Sequence, residues 1–268
     1  MSHSSTSIPS VTPQDVQELR TLLYPSLQTR EWYTVLTAAV SAARIGAQAV
    51  PLIWKAANEE QVGQAAADHK DAMAVEVAMR VKEALLKGSV IFGICAALDP
   101  LFALTPLLRA EAAQHPGRSQ SDLFARHNRL GRTEEELTTL AHQGLRRVYR
   151  HNLDEILENK FGSDNRDIQF ATMEINYGWN LSEDSILDFP STELVILAAL
   201  IPTPNVPAET MWHLRGCRRA GWSDEIINSV RSLCIRVVDL CKERSIGMYS
   251  WDASRLPTLE DIKENSND

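Results

Sequence analysis

Apolar positions recur every three to four residues along most of the chain and strict alternation is nearly absent, which predicts an all-α fold. A first stripe, Val16, Leu19, Leu22 and Leu23, follows Thr12 as cap and Pro13 at the first helical position. TREWYTVLTAAVSAARIG reads as a long apolar helix closed by Gly46, followed by a short helix at 50–57. Asn58 and Gln61 form a capping pair that opens a long helix reaching about Lys87 and stopping at Gly88. SVIFGICAALDPLFALTPLLRAEAA is the most apolar segment, and Pro100 and Pro106 are expected to interrupt it. Polar residues 114–132 read as a linker holding at most a helical turn or two. Thr133 and Glu136 make a capping box for a helix running to about Lys160. FGSDNRD then breaks the pattern, and the aromatic segment FATMEINYGW leads into the loop NLSEDSILDF.

Residues 190–240 carry three helices in quick succession. Glu193 opens the otherwise apolar run LVILAALI, behind Ser191 and Thr192 as capping hydroxyls and Pro190 near the first turn. A carboxylate there is either exposed and dipole-stabilised or buried with a partner. The second helix spans about 208–220, with Gly221 as its left-handed stop and Ser223 as cap of the third. Helical spacing puts Glu209, His213, Gly216, Cys217 and Ala220 on one face, so the histidine points inward among small neighbours. There is also an internal echo. TREWYTVLTAAV resembles STELVILAALIP, and each precedes a short helix bearing a tryptophan, Trp54 or Trp212, with Lys55 where the second copy has His213.

At 268 residues and 44% hydrophobic content the chain can bury a sizeable core. A net charge of -8 argues against a nucleic-acid or anionic-membrane surface, and Arg146, Arg147 and Arg150 read as a solvated helix face. No apolar run reaches the roughly 18 residues of a membrane span. The Ser-rich start lacks the apolar core of a signal peptide. Cys95, Cys217, Cys234 and Cys241 include no CxxC pair, which fits free thiols in a reducing compartment, and the expectation is cytoplasmic. The expected organisation is a disordered start at 1–11, a first helical unit at 12–113, the linker at 114–132, a second unit at 133–250 and a tail at 251–268.

Glu193, His213, Gly221, Asp224 and Glu225, in that order after INYGWNLSEDSILD, resemble the carboxymuconolactone decarboxylase-like proteins, a superfamily that includes alkyl hydroperoxidase D. The likeness is good over 165–245 and weak over 30–110, and resembles a two-repeat, fungal-type member whose first copy is degenerate. It implies an alkyl hydroperoxidase D-like helical fold, a closed homo-oligomer such as a trimer, with residues 89–108 and the tryptophans, including Trp222 and Trp251, as contacts, and a small-molecule substrate. Peroxidase members carry CxxC seven and four residues before the histidine, where this chain has Val206 and Glu209.

The resemblance therefore implies a lyase or isomerase that needs no cofactor, acting on a carboxylated lactone or unsaturated acid. His213 is its acid/base and Glu193 the carboxylate that orients it. Glu209, one turn before His213, can hold the other ring nitrogen in a chosen tautomer. A metal held by Glu209, His213 and Cys217 is not expected, because three ligands from one helix rarely close a tetrahedral shell. Trp212, Tyr177 and Trp179 are the expected pocket aromatics. The alternatives are an alkylhydroperoxidase-like antioxidant using Cys217, which lacks a resolving thiol at matching spacing, and a non-catalytic structural oligomer.

Overall fold

A computed structural model describes residues 10–120 and 123–250. Eleven α-helices with short 3-10 and π-helical turns make up the described chain, and no strand occurs among the described residues. They are α1 (Pro13–Thr21), α2 (Trp32–Ala42), α3 (Gly46–Gln64), α4 (Lys70–Phe92), α5 (Ile94–Gln114), α6 (Glu134–Tyr149), α7 (Asn152–Glu155), α8 (Arg166–Phe170), α9 (Phe189–Leu200), α10 (Pro207–Arg219) and α11 (Asp224–Arg244).

The centre of the molecule is the pair α2 and α9. Every residue of α2 is buried, as is every residue of α9 from Ser191 to Leu200. A helix apolar on all sides is stable only when surrounded. The two pack on each other and share their neighbours. Helix α4 lies on both, as does α11, while α3 covers α2 and α10 covers α9. A second, smaller layer forms where α6 packs along the π-helical segment Ala171–Leu181. Gly178 permits this approach, because a Cβ there would run into the Leu137 carbonyl.

Several boundaries differ from those expected. The turn after α2 is made by Arg44 at φ 65, and Gly46 opens α3 instead of closing α2. Helix α3 continues through Asn58 and Gln61, so they are interior residues, and the break falls at 65–69. Helix α4 runs past Gly88 to Phe92, where Gly93 at φ 86 and ψ 152 turns the chain in a conformation almost confined to glycine. Pro100 and Pro106 both lie inside a continuous α5. Each removes one helical hydrogen bond, but Ala96, Ala97, Pro100 and Leu104 form a buried face, and that packing outweighs the local penalty.

Helix α6 begins at the expected Thr133–Glu136 capping box but ends at Tyr149, because Arg150 takes φ 53. The cap of α9 is Asp188, which accepts a hydrogen bond from the Ser191 N–H at 2.9 Å, and Ser191 and Thr192 lie within the helix. Of the expected disordered start, Ser10 and Val11 are described, and Val11 is buried. The rest of that start, the tail at 251–268 and Trp251 lie outside the described residues.

The 114–132 linker holds two short 3-10 turns and is more than a surface connection. Arg126 and Arg129 enter the interior. Arg126 donates to both Glu83 oxygens at 2.9 and 2.6 Å, and Arg129 donates to Glu183 Oε2 at 3.1 Å and to the Gly178 carbonyl at 2.6 Å. Lys87, wholly buried, donates to the carbonyls of Glu183 and Leu187 at 2.5 and 3.0 Å and to Thr192 Oγ1 at 2.7 Å. These bonds fasten α4 to the segment that enters α9.

Candidate active site

Asp188 sets the start of α9, and that register turns Glu193 toward α10 and away from solvent. Gly221 at φ 95 and Ser223, which accepts from the Ile226 N–H, set the turn from α10 into α11 as expected. The Trp222 indole N–H donates to the Pro190 carbonyl at 2.9 Å and ties that turn to the first turn of α9. Between these fixed ends, His213 on α10 meets Glu193 on α9.

His213 Nδ1 lies 3.1 Å from Glu193 Oε2, and the two residues are only 4% and 3% exposed. The choice left open for Glu193 is thus resolved: it is buried with a partner. Gly216 makes the space, since a Cβ at that position would overlap Glu193 Oε2. No protein group among the described residues hydrogen-bonds His213 Nε2, and the ring lines a cavity of about 210 Å³. Nδ1 is therefore held by the carboxylate and Nε2 is the nitrogen available for exchange.

Leu140, Val148, Leu181, Phe189 and Ile196 give the cavity an apolar body, and Tyr177 and Thr192 add hydroxyls. Tyr177 faces Tyr149 across a 3.4 Å hydroxyl contact. Burial pushes the Tyr149 phenol up to about 12 and the Tyr177 phenol well above its ordinary value, so both are neutral donors near pH 7. The Tyr149 ring stands edge-on to His213 and Trp212, with centroids 6.4 and 5.3 Å away.

The other expected site residues divide. Glu209 is exposed in the first turn of α10 and is not hydrogen-bonded to the His213 ring, whose carboxylate partner is Glu193. Trp212 is half-buried under Lys160, and Trp179 lies beside the Arg126 guanidinium; neither lines the cavity, whereas Tyr177 does. Cys217 is fully buried, and its thiol donates to the Glu193 carbonyl at 3.5 Å. Burial, and then the Glu193 charge, push that thiol well above its ordinary range.

Sequence reasoning missed Arg147, Gly144 and Gln143 of α6, as well as Asp184, all of which line the outer part of the cavity. The arginine run is solvated as expected, Arg146 pairing with Asp154, and the 52%-exposed Arg147 also contributes to the lining of the cavity. Helical spacing offered one signal: Leu140, Gly144 and Val148 recur every four residues beside Arg147.

No family model matches the chain, and no solved structure matches it. Among curated proteins, the chain is similar to "Peroxisomal protein 2" of Saccharomyces cerevisiae, 32% identical over 83 residues. That stretch is 31% of this chain and covers 29% of the yeast protein's length. Among the described residues, no helix is long and apolar enough to cross a membrane.

Proposed function

We propose that the chain is a cofactor-free lyase or isomerase of the carboxymuconolactone decarboxylase-like type, acting on a small carboxylated lactone or unsaturated acid. The observation that carries this reading is the buried Glu193–His213 contact on the wall of a cavity of mixed apolar and polar lining, with His213 Nε2 left without a protein partner. In a conjugated lactone acid, the bond between a ring carbon and its carboxylate breaks and carbon dioxide leaves. The electron pair spreads through the double bond onto the lactone carbonyl as a dienolate. Protonated His213 then gives one proton to a more distant carbon and recovers it from solvent, so one proton is consumed per carbon dioxide released. Glu193 keeps the ring oriented, and with Tyr149 as the donor in their mutual contact the Tyr177 hydroxyl donates to the developing oxyanion.

The thiol alternative finds little support. A peroxide-cleaving cysteine must ionise and be reached, and Cys217 is buried beside a carboxylate that opposes its ionisation. The two-unit organisation belongs to the same proposal. Among these six helices alone, exchanging α2, α3 and α4 for α9, α10 and α11 leaves the set of packed pairs unchanged, which supports a duplicated unit, although α5 packs only on the first three. Closed assembly is supported by the exposed side chains of Ile94 and Phe102 on α5.

The test is carbon dioxide release from a panel of carboxylated unsaturated lactones, followed with carboxyl-labelled substrates. Turnover of at least one member is expected, and a protein inert to the whole panel would remove the lyase reading. Light scattering tests the assembly: a multiple of the 29.9 kDa chain mass is expected, and a monodisperse monomer at micromolar concentration contradicts it. The yeast protein's name refers to peroxisomes, and a fluorescent fusion imaged with a peroxisomal marker decides between that compartment and the cytoplasm.

A further inference from the structure

The cavity is lined by two charged pairs, Glu193 with His213, both buried, and Arg147 with Asp184, both open to solvent and so at its mouth. Arg147 Nη1 lies 3.3 Å from Asp184 Oδ2, with side chains 52% and 45% exposed. The guanidinium also rests over the Phe189 ring, 5.2 Å from its centroid. The two contacts differ in strength of constraint. A stacked ring holds a flat guanidinium in place, whereas a long, solvated, single-nitrogen ion pair contributes little. An incoming carboxylate can therefore replace Asp184 at small cost, and it can engage the guanidinium through two oxygens where Asp184 uses one. The inner end is less hospitable to an anion, because Glu193 already occupies it.

We propose that Arg147 is the anion-recognition residue of this site, holding a substrate carboxylate at the mouth, and that Asp184 is the group this carboxylate displaces. The identity of the reacting end rests on the lyase reading; the anion preference stands on the mouth alone. A carboxylate paired with Arg147 is stabilised against loss, so it is the group retained through the reaction. The reacting carbon lies deeper, beside His213.

Calorimetric binding of benzoate and its neutral isostere benzamide tests this without turnover. Wild type is expected to favour benzoate about tenfold, Arg147→Gln to lose that preference, and Asp184→Asn to increase it. Equal binding of the two probes, failure of benzoate to bind, or a preference that survives Arg147→Gln overturns the inference. With any lactone acid that is turned over, Arg147→Gln is expected to raise KM about tenfold with the loss falling in KM and not in kcat. An unchanged KM overturns Arg147's role while leaving the lyase reading intact. Benzoate preference with no turnover of any lactone acid removes the lyase reading and leaves the anion site.

Discussion

Gly216 shows how closely the pair of functional side chains depends on its surroundings. Alanine there would ordinarily favour the helix by about 1 kcal/mol. Here the added methyl meets Glu193 Oε2 and lies 3.3 Å from Val148 Cγ1, so Gly216→Ala is expected to lower stability by about 1–3 kcal/mol. Urea unfolding measures it, and in a Glu193→Ala background the same change should become neutral or stabilising. If Gly216→Ala costs as much without the carboxylate, the glycine serves some other contact. The thiols give a second check. Cys95 is exposed while Cys217, Cys234 and Cys241 are buried, and burial pushes the Cys241 thiol up to about 11. Ellman's reagent at pH 8 should titrate one thiol rapidly in the native protein and the other three only in denaturant. Rapid modification of Cys217 would reopen a redox role. Glu193 and His213 were legible in the sequence because a carboxylate beginning an apolar run needs a partner if buried, and helical spacing turned the histidine inward. Glu209 shares that angular face, but it sits exposed in the first turn of α10, which angle alone does not reveal.

Among the elements, caps were read more reliably than stops. Thr12, Thr133 and Ser223 all cap as their local patterns indicate, because a side-chain oxygen bonding an N–H three residues on is a local interaction. The continuous α5 and the extended α3 were not legible, since burial against other helices overrides Pro100, Pro106 and Asn58. Asp15 shows a local cap carrying a distant tie. It accepts from the Thr12 N–H at 2.7 Å and from Arg244 at 2.7 and 2.5 Å, joining α1 to the end of α11. Burial opposes its ionisation, but the Arg244 and Thr12 hydrogen bonds prevail and hold its pKa below the ordinary carboxylate value. A folded pKa below the unfolded one means the stabilisation is present above the unfolded value and is lost as pH falls through the folded value. Asp15→Asn is therefore expected to cost about 1–2 kcal/mol at pH 7 and progressively less below pH 4, in chemical unfolding across that range. A pH-independent difference would mean that shape and not charge is what Asp15 supplies.

Across the whole molecule, the two halves are joined by buried charge as well as by α2 on α9. The all-helical class was legible from periodicity, but the role of 114–132 was not, because nothing in a polar stretch marks which arginines turn inward. Arg126 and Glu83 are each 3% exposed and doubly hydrogen-bonded to one another. Removing Arg126 leaves the buried Glu83 with only the longer 3.8 Å contact to Lys87, so Arg126→Met should cost about 3 kcal/mol, and adding Glu83→Gln should recover part of it. A double variant no more stable than Arg126→Met would contradict the pairing.

The most direct test of the Glu193–His213 assignment is the turnover of one carboxylated lactone by wild type, His213→Ala and Glu193→Gln, each checked for helical content and a cooperative melt. Loss of an acid/base group is expected to lower kcat on the order of a hundredfold or more for His213→Ala, with a smaller loss for Glu193→Gln, which keeps the shape but not the charge that orients the ring. Folded variants that both retain wild-type turnover would contradict the account and leave Glu193 and His213 as a packed structural pair.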